Sequence, residues 1–197
     1  MEQVIERVGM PLDTFLEAFN QQPFELINGA QKILMPGVAG PNYILRLLVR
    51  WLEQALTNNP ANIQGELFYE MTFVLPEAYN PNWVTGSRTP DLMIYLGNRW
   101  ADYIKAHPDW REKPYLLVPD FVVEIVSPND RYSDIDEKVD AYLADGVRLI
   151  WVIDPQRRKA TIHTPINDQP LHLKGDTLLS GGDVLPGFEI RLSALFE

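Results

Sequence analysis

Apolar residues fall in blocks whose spacing switches between helical and alternating as the chain proceeds. Leu12, Phe15, Leu16 and Phe19 recur at helical intervals and predict a short helix from Pro11 to Asn20, with Thr14 and Glu17 resembling a capping box. Phe24-Glu25-Leu26-Ile27 and Lys32-Ile33-Leu34-Met35 flank Asn28-Gly29, a strong hairpin signal. From Pro41 to Thr57 the residues Ile44, Leu45, Leu47, Leu48, Trp51, Leu52, Ala55 and Leu56 predict a longer, well-buried helix. Leu67 to Leu75 reads as a strand, Asn80 to Arg88 as an open loop, and Leu92 to Leu96 as a strand. Gly97 to Pro119 reads as irregular or partly helical, with Trp100, Tyr103, Trp110 and Tyr115 packing over a sheet and nucleic-acid contact as the alternative.

The run Phe121-Val122-Val123-Glu124-Ile125-Val126 predicts a strand near the middle of a sheet, covered on both faces and stopped by Ser127-Pro128-Asn129-Asp130. A helix follows, capped by Ser133 or Asp134, with Ile135, Val139 and Tyr142 facing inward and Gly146 ending it. Arg148 to Ile153 predicts another strand, with Lys159 to Thr164 pairing beside it. Short strands around Leu171, Leu178 and Phe188 precede an apolar turn at Leu192, Leu195 and Phe196. This order predicts an α/β or α+β fold with a mixed sheet flanked by helices. No repeat or linker divides the chain, so residues 1–197 read as a single domain.

Composition narrows the function classes. There is no cysteine, which excludes disulfides and thiolate metal sites. No stretch approaches the ~20 apolar residues of a membrane span, and the first residues lack the order of a secretory signal, so a cytoplasmic protein without membrane partners is the expectation. The net charge of −10 argues against broad affinity for nucleic acid, since phosphate binding rests on Lys and Arg. Six acids lie between Asp130 and Asp145 against two bases, either a solvated face or a carboxylate-rich cation site.

Glu124 breaks this pattern most sharply. An unpaired carboxylate among Val, Ile and Phe costs roughly several kcal/mol unless a cation or hydrogen bonds compensate, so it is a satisfied structural charge or a ligand. Asp120 shares its strand face but sits about 13 Å away at ~3.3 Å per residue, too far for one metal ion. Asp91, after Pro90 at the start of a strand, is the best-placed second acid, with a local turn role as the alternative. Two carboxylates, a carbonyl and waters suit magnesium. Lys138 shares a helix face with Ile135 and Tyr142 and could reach those acids; an i, i+4 pair with Asp134 is its plainer role. Glu25, alone between Phe24 and Leu26, repeats the oddity, with a water-facing strand edge as the alternative.

Pro90-Asp91, Phe121 to Pro128, Lys138, Tyr142, Gly146-Val147 and Trp151-Val152-Ile153-Asp154-Pro155 together closely resemble the Uma-type "putative restriction endonuclease" family of the PD-(D/E)XK nuclease superfamily. Glu25 to Gly29 and Leu185-Pro186-Gly187-Phe188 match it too, so the likeness spans nearly the whole chain. The resemblance implies a restriction-endonuclease-like core and a metal site of Asp91, Glu124 and the Ile125 carbonyl, holding magnesium or manganese. Glu25 would match an acid from the N-terminal part of the fold. The superfamily's lysine position, two residues after the glutamate, is Val126 here, and Lys138 matches a lysine displaced to the following helix. The implied reaction is metal-dependent hydrolysis of a phosphodiester, with DNA as the expected partner. On so acidic a chain the DNA contacts would be concentrated near the cleft or shared across a homodimer.

Two other readings stand beside this one: a nuclease-like fold that no longer cuts and serves in binding or regulation, and a phosphoesterase of small nucleotides. His107, His163 and His172 show no metal-ligand spacing. Arg157-Arg158-Lys159 reads as a solvated turn, with a phosphate anchor as the alternative.

Overall fold

A computed structural model describes residues 7–35, 39–58, 64–167 and 169–197. In chain order the elements are β1 (Met10–Pro11), α1 (Leu12–Gln21), β2 (Phe24–Ile27), β3 (Ala30–Ile33), α2 (Ala39–Asn58), β4 (Gly65–Tyr69), β5 (Phe73–Glu77) and β6 (Asn80–Arg88). There follow β7 (Leu92–Leu96), α3 (Arg99–Ala106), β8 (Phe121–Ile125), α4 (Tyr132–Asp145), β9 (Leu149–Asp154), β10 (Lys159–His163), β11 (Leu171–Lys174), β12 (Leu178–Ser180) and β13 (Glu189–Arg191).

The main sheet has six strands in the order β11-β10-β9-β8-β7-β4. Only β8 and β9 run parallel; their crossover is α4, as parallel neighbours require. Side-chain alternation along β8 feeds two cores. Phe121, Val123 and Ile125 face α2 and the C-terminal segment, where Leu48 and Leu52 are fully buried, each worth about 1.5–3 kcal/mol. Val122 and Val126 face the opposite way, into a core with Trp100 and Tyr103 of α3 and Ile135, Val139 and Tyr142 of α4. The sheet is therefore covered on both faces, and the fold is the mixed α+β arrangement predicted.

A second sheet holds β1, β6, β2 and β3 in that order, with β5 also paired to β6. Here the prediction of an open loop over 80–88 fails. Polar Thr85, Ser87 and Arg88 disguise β6, because their side chains bond neighbouring strands: the Leu26 N–H donates to Ser87 Oγ at 2.8 Å, and Thr85 Oγ1 donates to the Leu75 carbonyl at 2.9 Å. The single strand expected from Leu67 to Leu75 is two, β4 and β5, in different sheets, broken where Glu70 takes φ +52°. The hairpin turn falls where predicted, with Asn28 at φ +51° and Gly29 at φ +80°, and its second strand starts at Ala30, two residues earlier than expected.

Both predicted helix caps are corrected. Thr14 lies inside α1, whose N-cap is Pro11, and α4 begins at Tyr132 after Arg131; neither has a side-chain cap bond. Gly146 ends α4 as predicted, at φ +99°, with its N–H on the carbonyls of Leu143 and Tyr142. The last residue of α4 anchors the second sheet. Asp145 Oδ2 lies 3.0 Å from Arg88 Nε, and Arg88 also donates to the Leu26 carbonyl at 2.7 Å. This buried pair holds β2, and Glu25 with it, against the helix that follows Glu124.

Candidate active site

Leu92 stands opposite Val123 in the antiparallel pairing of β7 and β8, so one further step of that register puts Asp91 opposite Glu124. Directly opposed side chains have Cβ atoms about 4.5–5.5 Å apart. Both point to the face beneath α4, since Met93 and Tyr95 on β7 and Val122 and Val126 on β8 join that core.

Over this face α4 presents Ile135, Lys138, Val139 and Tyr142, one helical stripe. The Lys138 ammonium turns to the sheet rather than along the helix toward Asp134. Its Nζ lies 2.9 Å from Glu124 Oε2 and 3.3 Å from Glu25 Oε2. The Tyr142 hydroxyl donates to the other Glu124 oxygen at 2.5 Å. Glu25 is fixed by the Thr89 N–H, which donates to its Oε1 at 2.7 Å, and the Ile125 N–H donates to Asp91 Oδ2 at 2.5 Å. Both oxygens of Glu124 and of Glu25 thus have partners, while Asp91 is held by one. Glu25, 3% exposed, does not face water as a strand-edge carboxylate would.

The electrostatics follow from the head count of three carboxylates around one ammonium. Burial, with the charge of Glu124 adding to it, pushes the Asp91 carboxyl up to about 7 against the opposing pull of the Ile125 N–H and Lys138. Burial likewise raises Glu25, with Lys138 opposing. Burial alone would drive a proton off Lys138, but the charges of Glu124 and Glu25 outweigh it and hold the ammonium well above its ordinary range. Tyr142, raised by burial and by Glu124, stays a neutral donor.

The structure brings together Glu25, Asp91, Glu124, Lys138 and the Ile125 backbone. It keeps Asp120 apart, at the other end of β8, bound to Arg99 and Arg148. Val126 is a core residue, 6% exposed, whose N–H donates to the Ile153 carbonyl at 2.8 Å. The histidines lie elsewhere: His107 stacks on Tyr103, while His172 Nδ1 lies 3.2 Å from Thr161 Oγ1. Sequence reasoning read Tyr142 as packing alone; its i, i+4 relation to Lys138 on the inward stripe was the available signal. The Thr89 N–H carries no sequence signal at all.

Among the described residues, no three histidine, cysteine or acidic side chains form a cage for a metal ion. The donor set nonetheless suits a hydrated hard cation, which takes one or two carboxylates and keeps its waters. Asp91 supports this, because burial and the neighbouring Glu124 charge disfavour its carboxylate form, which an added cation would stabilise.

The fold is that of a restriction-endonuclease-like protein. It resembles, with a TM-score of 0.73 and 18% identity, a crystal structure from Anabaena variabilis ATCC 29413 described as a putative nuclease belonging to DUF820, covering 95% of this chain and 97% of that one. No curated protein matches the chain. The family model Uma2, described as "Putative restriction endonuclease", matches residues 12–193, and the chain belongs to that family. No helix among the described residues is long and apolar enough to cross a membrane.

Proposed function

We propose that this protein is a divalent-cation-dependent nuclease that hydrolyses phosphodiester bonds, with DNA as its substrate and residues 1–197 acting as a single nuclease-like domain. One observation carries the reading: three acids from separate elements, Glu25, Asp91 and Glu124, gather with one ammonium on the α4 face of the main sheet, where β7 and β8 meet. Asp91, Glu124 and the Ile125 carbonyl would hold magnesium or manganese. Such an ion supplies polarisation of the scissile phosphate and a water of lowered pKa.

The chain's own residues do the rest. Lys138 stands where an ammonium can orient the attacking water and offset charge developing on the phosphate. Glu25 and Glu124 keep it protonated and aimed, and Tyr142 fixes the rotamer of Glu124. Because α4 returns the ammonium to Glu124, Val126 at the superfamily's lysine position does not remove the chemistry.

Cleavage of supercoiled and linear DNA, and of RNA, with magnesium or manganese tests the proposal. Wild type should cut only with metal present, and Glu124→Gln should lose at least about 100-fold in rate, as expected when a group that stabilises transition-state charge is lost. Absence of metal-dependent cleavage on all these substrates sinks it. The engagement of both Glu124 oxygens by Lys138 and Tyr142 favours a second reading, a non-cutting binding protein. Calorimetry separates the two, because a site that takes up no magnesium or manganese supports the second.

A further inference from the structure

The sheet face that carries Glu124 continues outward across β9, β10 and β11. Glu124 pairs with Val152, so Asp154, two residues further along β9, keeps the same face. Lys159 stands opposite Asp154 on β10, and Lys174 stands opposite Lys159 on β11. At ~3.3 Å per residue and ~4.8 Å per strand, Asp154 lies on the order of 8 Å from Glu124, with Lys174 about 10 Å beyond it.

Tyr132, at the start of α4, organises this row. Its hydroxyl donates to Asp154, and its ring carries two cations, the Arg157 guanidinium at 4.4 Å and the Lys159 ammonium at 5.2 Å from the ring centre. Asp154 is buried and also accepts the Arg157 N–H at 2.9 Å, so its charge is spent on the frame. Arg157, whose guanidinium also lies 3.7 Å from Asp154 Oδ2, remains 58% exposed. Two lysines directly opposite on an antiparallel ladder repel unless an anion lies by them. The far end of β10 is the reverse in sign, with His163 near Asp136 and Asp140. On a chain of net charge −10, a basic row beginning beside the acid centre is a local inversion that a polyanion would follow.

We infer that Arg157, Lys159 and Lys174, braced by Tyr132, form an anchor for the phosphate backbone of nucleic acid, gripping the strand a few nucleotides from Glu124. This rests on the nuclease reading and adds to it a path for the substrate. Contacts of this kind position the strand without reading its sequence.

The test is anisotropy of labelled single- and double-stranded oligonucleotides in EDTA, from about 50 to 200 mM salt, paired with magnesium-dependent cleavage. Replacing Arg157, Lys159 and Lys174 together by Gln should weaken binding at least about 10-fold on every sequence and lower the salt slope by about 2–3. Cleavage should lose through KM, with kcat kept. The double variant Arg46→Gln, Arg50→Gln, on α2 across the sheet, should change binding less than about two-fold. If the triple variant unfolds, Lys174→Gln alone, exposed on β11, should lower the slope by about one. Wild-type binding or cleavage with both sets of variants unaffected, or equally affected, overturns the anchor and leaves the nuclease reading standing. Wild type that neither binds nor cuts overturns both.

Discussion

The two ends of β8 each carry a buried acid, and they are built in opposite ways. Asp120 and Glu124 are both 4% exposed, four residues apart at either end of an apolar run. Asp120 meets two guanidiniums, Arg99 at 2.6 Å and Arg148 at 3.3 Å, and accepts the Leu96 N–H at 2.9 Å. Those cations are 42% and 53% exposed, so water shares their cost of desolvation. At Glu124 the ratio is inverted: one ammonium, 16% exposed, serves Glu25 and Glu124 while Asp91 stands close by. Burial of an acid alone therefore does not mark a functional site. An imbalance between buried acids and their partners is the stronger pointer, because it leaves charge for something else to neutralise.

Removing one cation at each end would break or sharpen this contrast. Lys138→Met leaves Glu124 and Glu25 buried without a cation and should cost about 3–5 kcal/mol in urea unfolding at pH 8. The loss should shrink at acid pH, where the carboxyls take up protons. A cost below about 1 kcal/mol would mean that the acids are solvated and the contrast false.

Asp91→Asn should act in the opposite direction. The folded Asp91 keeps its proton up to about pH 7, whereas the unfolded chain releases it near pH 3.9. Between these values the folded state binds more protons, so wild type loses stability as pH rises from about 4 to 7, and Asn does not. Thermal unfolding should match wild type near pH 4 and favour the variant at pH 8 by on the order of 4 kcal/mol. Equal stability at both pH values would remove the case for uncompensated charge.

The smallest effect belongs to the balanced end. Arg148→Met leaves Asp120 with Arg99 and the Leu96 N–H, and should cost less than about 1 kcal/mol. Unfolding energies for this variant as large as for Lys138→Met would erase the contrast between the two ends of β8.

Much of this arrangement was legible in the chain. Helical spacing announced α1, α2 and α4, Asn28-Gly29 the first hairpin, and Gly146 the end of α4, because each rests on contacts within a few residues. The anomaly at Glu124 was visible because an acid among β-branched residues is costly wherever the strand lies. Strand β6 was hidden, since Ser87 and Arg88 satisfy the backbone of strands remote in sequence. So was the way β4 and β5 part into different sheets.

Local composition and periodicity determined which segments become helix or strand and which acids are out of place. Tertiary structure alone decided that Asp91 opposes Glu124, that Arg88 and Asp145 draw Glu25 into the same site, and that one ammonium serves Glu25 and Glu124 beside Asp91. The reason is physical: backbone preference and amphipathic spacing act over a few residues, whereas charge balance is summed over whatever the fold brings within a few ångströms.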